Sequence, residues 1–288
     1  MSMDGLQEKI RKRKCALIVD LTVLPGALPK EYGEAPFVQG YCAYIRALLK
    51  GLKGMVPGVR FPLGLFSLLG GEALSQLPGL TREAGELGYY VLLETPQLNS
   101  QALAEFTAQT LLAPESPYRC DGVQIPFYSG SDVLTPFLPY CEKEKKDVFV
   151  CVRTPNRSAP ELQDLLTGSR LVHMAAANRV NRYAEGLQGK YGYARVGLLA
   201  SAGAADSLRA LREKYPGLFL LADGLDYPSA NLKNVSLAFD KLGRGAAYCA
   251  GEMVTLAWRQ KPDMDPVEAA QAEVRRQQKG LGRYLTFL

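Results

Sequence analysis

Residues 148–153 read Val-Phe-Val-Cys-Val-Arg, an apolar run of strand length that ends on a charge and passes into Thr154-Pro155-Asn156-Arg157-Ser158. Its hydrophobicity is continuous rather than alternating, which suits a parallel strand buried on both faces. Seven further runs have the same character, at 15–20, 59–66, 89–94, 122–127, 195–201, 218–223 and 245–251. Amphipathic stretches separate them, among them Ala43–Lys53, Gln101–Leu112 and Ser207–Lys214, and the 159–187 segment has room for more than one helix. Eight strand–helix units without a Pro/Gly/Ser-rich linker predict an α/β fold, a single-domain (β/α)8 TIM barrel over residues 1–288. A doubly wound sheet is the competing architecture. It needs fewer strands and a Gly-rich first turn, and neither G-x-G-x-x-G nor G-K-[ST] occurs. The last segment, Pro266–Lys279, predicts an amphipathic helix, about 266–280, that closes the barrel or packs on its outside.

The chain of 288 residues is 47% hydrophobic and 22% charged, as expected of a soluble globular protein rather than a fibre or a disordered chain. Lys and Arg exceed Asp and Glu by 34 − 29 = 5, too mild an excess to predict a nucleic-acid partner. A single histidine excludes multi-His metal sites and most His-based triads. The six cysteines are scattered with no C-x-x-C pair, which fits reduced thiols in a cytoplasmic protein. The basic run Arg11–Lys14 precedes only a short apolar stretch that Asp20 ends, so it reads as a solvated helix end rather than a signal or a membrane anchor.

Barrel enzymes carry their chemistry at the C-terminal ends of the strands. Those ends hold Asp20, Arg60, Glu94, Arg153 with Thr154, Ser201, Asp223 and Glu252, with Asn99 and Asn156 in loops. Asp20, Glu94 and Arg60 form a charged trio suited to proton transfer or to a polar ligand, although wet barrel mouths gather such groups for solubility alone. His173 lies on an apolar helical segment and reads as a satisfied structural histidine. Cys249 reads as a buried inert thiol, and Trp258 as a packing residue.

The segment Gly122–Gln163 is more specific. Val123-Gln124-Ile125-Pro126-Phe127-Tyr128-Ser129-Gly130-Ser131-Asp132, then Pro136-Phe137, then Val148 through Ala159, resembles orotidine 5′-phosphate decarboxylase of the long-chain bacterial subfamily. Gln7–Ile10, Asp20, Phe239-Asp240, Gly243, Gly245-Ala246 and Ala257-Trp258 extend the likeness over nearly the whole chain. The resemblance implies decarboxylation of orotidine monophosphate without metal or organic cofactor. In the family a lysine on the second strand joins a D-x-K-x-x-D motif after the third, and the motif lysine protonates the carbanion.

The resemblance also implies a degenerate site. The second-strand lysine falls on Arg60, and the motif falls on Glu94-Thr95-Pro96-Gln97-Leu98-Asn99. Its lysine is thus Pro96, which has no proton to deliver, and its last acid is the neutral Asn99. The pyrimidine-reading serine falls on Pro155, and the Gly/Gln-rich phosphate loop falls on residues 223–230, with Asp226 and Pro228 in place of a glycine and the glutamine. The phosphate-pairing arginine falls on Glu252, a reversal of charge. Asp20 is retained at the ribose-contacting position.

These readings predict a pseudoenzyme with a scaffold or regulatory role and no confident catalytic residue. Arg60, Glu94, Pro96 and Asn99 mark the lost tetrad, and the ligand-binding candidates are Asp20, Arg60, Glu94, Arg153, Thr154, Asn156, Asp223 and Glu252. Arg60 and Glu94 are expected to form a direct ion pair. Competing readings are an enzyme or binder for another small ligand on the same barrel, and a genuine decarboxylase with relocated groups. The family dimerises at its active sites, so a homodimer, or a heterodimer with an active paralogue, is expected. No nucleic-acid or membrane partner is.

Overall fold

The computed structural model describes residues 2–95 and 98–286. Eight parallel strands close into a barrel. In chain order they are β1 (Leu17–Asp20), β2 (Gly58–Pro62), β3 (Tyr90–Glu94), β4 (Gly122–Pro126), β5 (Asp147–Arg153), β6 (Ala194–Ser201), β7 (Leu218–Asp223) and β8 (Ala246–Ala250). Each pairs with its neighbour in sequence, and β8 closes on β1. Nearly every strand residue is buried, which is why the runs carry apolar side chains without alternation. Phe149 and Phe219 meet edge-on inside the packing, their centroids 6.0 Å apart.

The run 59–66 does not stay extended. Its strand ends at Pro62, and Leu63–Leu68 turns into a short helix. Proline cannot donate the next ladder bond, so the chain leaves the sheet there although its side chains remain apolar. The 159–187 segment holds a short helix at Pro160–Gln163, a two-stranded hairpin pairing Leu166–Thr167 with Arg170–Leu171, and the helix Val172–Ala184. The expected C-terminal helix is present as Pro266–Leu281. Asp265 caps it by accepting the Val267 and Glu268 N–H bonds, with proline at the first helical position. It lies against Phe37–Gly51, where Val267 fills the space a side chain on Gly51 would need.

The opposite, N-terminal face of the barrel is covered by the helix Met3–Arg13. Gln7 accepts the Gly245 N–H at the start of β8 (2.9 Å), and Lys9 donates to the Gly88 carbonyl before β3 (2.7 Å). The basic run is therefore only partly a solvated helix end. Arg11 and Lys12 are exposed, but Arg13 reaches inward to the carbonyls of Val56 and Gly88. With this face closed by structural contacts, the other end of the barrel is left for a ligand. No helix among the described residues is long and apolar enough to cross a membrane.

Candidate active site at the barrel mouth

Register decides which side chains meet. Asp20 lies opposite Arg60 across β1 and β2, Glu94 opposite Gln124 across β3 and β4, and Ser201 opposite Asp223 across β6 and β7. The C-terminal ends of the strands surround a cavity of about 570 Å³. Asp20, Arg60, Glu94 and Asp223 line it from the strands, and Thr154, Asn156 and Glu252 from the loops. Arg153 points to an adjoining cavity instead. Asn99 is exposed and does not line the mouth, and Pro96 lies outside the described residues.

Arg60 is the hub. Its Nε donates to Asp20 at 2.8 Å, and Nη2 contacts the same carboxylate oxygen. Its Nη1 donates to Gln124 at 2.7 Å and lies 3.0 Å from Asp223. Only 7% of Arg60 is exposed, so burial opposes its charge; Asp20 and Asp223 outweigh that penalty and hold the guanidinium protonated well beyond its ordinary range. Asp20 also accepts the Thr22 N–H at 2.7 Å, which locks the carboxylate in place.

The expected Arg60–Glu94 ion pair does not form. The guanidinium fork is filled by two acids on β1 and β7, and among the described residues Glu94 reaches only Gln124, at a marginal 3.5 Å. Burial pushes the Glu94 carboxyl above its usual range, with Arg60 drawing it down and Asp20 and Asp223 pushing it up. Burial likewise raises Asp223, against the pull of Arg60. For an acid raised in the folded state, the native protein holds the extra proton, so stability falls as pH climbs from the unfolded value through the raised one. Glu94→Gln removes that penalty. Urea denaturation at pH 7 should find it more stable by about 1 kcal/mol, with the gain gone below the carboxylate range; equal stability at both pH values would refute the assignment.

Two contacts lay beyond the reach of the sequence. Gln124 bridges Arg60 and Glu94 from β4, and its only signal is a polar side chain in the middle of Gly-Val-Gln-Ile-Pro. Asp226, in the loop after β7, accepts the N–H of Gly251 and that of Met253, both at 2.7 Å. Its carboxylate covers the backbone donors at the end of β8. Burial raises this carboxyl while the two N–H bonds oppose the rise.

Cys151 and Cys249 also border the mouth, but burial pushes Cys151 up to about 12 and Cys249 well above the ordinary thiol range. Both are inert as nucleophiles near neutral pH. His173 is 1% exposed, with Nδ1 2.9 Å from the Gln163 carbonyl and 3.1 Å from Asp164, a structural histidine that does not line the mouth. No group of three or more His, Cys, Asp and Glu among the described residues has an arrangement that holds a metal ion. Among the described lining residues, Arg60 is the cation against five carboxylates, those of Asp20, Glu94, Asp223, Asp226 and Glu252. The arrangement can orient a polar ligand, and it disfavours an anionic one.

No protein-family model matches the chain. The orotidine 5′-phosphate decarboxylase of Rhodopirellula baltica is 25% identical over 264 residues, covering 87% of this chain and 86% of its own. That of Clostridium novyi is 21% identical with 98% of each chain covered. Among solved structures, the OMP decarboxylase of Leishmania donovani aligns with a TM-score of 0.74 at 22% identity, over 97% of this chain and 100% of its own. The orotidine 5′-monophosphate decarboxylase of Plasmodium berghei aligns at 0.78 and 12% identity, over 98% and 99%. At these identities the structural matches establish the barrel and its strand order.

Proposed function

We propose, from its likeness to orotidine 5′-phosphate decarboxylases over nearly the whole chain, that this chain is a pseudoenzyme of that family, a barrel that has given up decarboxylation and serves as a scaffold or regulator. The observation that carries this reading is the binding state of Arg60. The cation at the second-strand position is held by Asp20, Asp223 and Gln124. A guanidinium stays protonated in proteins, so it cannot hand a proton to a carbanion. No lysine occurs anywhere from residue 54 to residue 142, the span that covers β2 to β4 and their loops. Glu252 and Asp226 stand where the family resemblance places phosphate contacts, and both repel a phosphate.

On the same reading the chain is one cytoplasmic domain over residues 1–288. Its six cysteines are free and buried, in keeping with a reducing compartment. It pairs with itself or with an active relative, as the resemblance implies. One observation favours a second reading, a barrel that binds a different small ligand. Among the described residues Glu94 has no ion-pair partner, and it faces the cavity. The separating experiment is a decarboxylation assay run beside a thermal-shift screen of small molecules. Silence in both supports the scaffold, a stabilising ligand supports the binder, and turnover of orotidine monophosphate overturns both.

A further inference from the structure

A second cavity of about 420 Å³ opens between the ends of β5 and β6 and the loop after β7. Thr154, Pro155, Asn156, Tyr227 and Pro228 line both cavities and form the wall between them. The charge changes sign across that wall. The mouth carries five carboxylates, whereas Arg153 and Arg157 are the charged residues among the described lining of the second cavity.

Two independent features of this cavity suit an anion. The first is the helix Ala205–Lys214, whose N-cap residue is Ala204. Alanine has no side-chain oxygen to satisfy the amides of the first turn, and Gly203 and Ala204 line the cavity, so the positive end of the helix faces it. Asp206 in that first turn is turned to solvent toward Arg209, 3.7 Å away. The second is Arg153, which is 7% exposed. Its Nη2 donates to Asp164 at 2.8 Å, but its Nε–H, itself buried, finds no acceptor among the described residues. A buried charged donor without an acceptor is unfavourable unless a ligand supplies one. Hydroxyls complete the surround. Ser201 accepts the Gly203 N–H at 3.1 Å, and the missing side chain of Gly203 lets the Ser229 hydroxyl approach.

We propose that this cavity binds a small oxyanion, the carboxylate or phosphate of a ligand, between Arg153, the uncapped helix end and the Ser201 and Ser229 hydroxyls. The ligand's other end, neutral or cationic, reaches past Tyr227 into the acidic mouth. The site is independent of the loss of decarboxylation, because none of its donors belongs to the tetrad.

Calorimetry of the full chain with inorganic phosphate and with malonate tests the proposal. At least one anion should bind saturably; tighter phosphate identifies a phosphorylated ligand, and tighter malonate a carboxylic acid. Ala204→Asp places a carboxylate at the helix cap, so it should keep or raise the melting temperature while weakening anion binding about tenfold or more. Arg153→Gln should weaken it to a similar extent. Failure of both anions to saturate the wild-type chain, or unchanged affinity in folded Ala204→Asp, overturns the site.

Discussion

Purified protein should turn over orotidine monophosphate at least about 10³-fold more slowly than an intact family member, because proton transfer by a placed acid contributes about 10²–10⁴ and preorganised electrostatics a comparable factor. The expectation joins the resemblance to the geometry. On the resemblance the position that delivers the proton falls on Pro96, and the cation of the described mouth, Arg60, is committed to Asp20 and Asp223. Installing a lysine by Pro96→Lys should therefore recover little. Residual turnover that survives Arg60→Met and Glu94→Gln would be a contaminant's. Turnover close to that of an intact enzyme, and abolished by those changes, would overturn the reading.

The second large effect concerns stability. Arg60→Met leaves Asp20 and Asp223, both 7% exposed, facing each other without a cation. Removing one partner of a buried ion pair costs about 3–5 kcal/mol, most of it from the charge left behind. Urea denaturation at pH 7 should show a loss of that order. The loss should shrink toward acid pH: Asp223, already raised by burial, takes up a proton there and no longer needs the guanidinium. Adding Asp223→Asn to Arg60→Met should restore part of the loss. A single-mutant cost below about 1 kcal/mol would mean that water, not Arg60, solvates the two acids.

The barrel was legible because its strands are buried on both faces, so β5 and β7 are written as unbroken apolar runs. The hairpin at 166–171 was not legible, since its residues are mostly exposed and carry no apolar period. Strand ends named most of the mouth, because Asp20, Glu94 and Asp223 each end an apolar run; Arg60 sits in the middle of β2 and stood out as the charge inside its run. Their partners were not readable. Arg60 and Glu94 come from successive strands and invite pairing, yet the guanidinium turns toward β1 and β7, because the register sets Arg60 opposite Asp20 while Glu94 lies opposite Pro62. The role of Asp226, noted in the sequence only as a replaced glycine, was hidden for a related reason. Its hydrogen bonds go to backbone amides about 25 residues onward, and backbone donors have no sequence signature.

Asp226 also bears on what this end of the mouth admits. A carboxylate seated on the Gly251 and Met253 amides supplies, from within the chain, the negative charge those amides attract. Losing Asp226 would strand two donors, and an anion arriving from solution would have to displace a carboxylate that the chain itself holds in place at no cost in translational freedom. The loop after β7 thus acts as a built-in competitor, and this end of the mouth favours ligands that do not contend with its own acid.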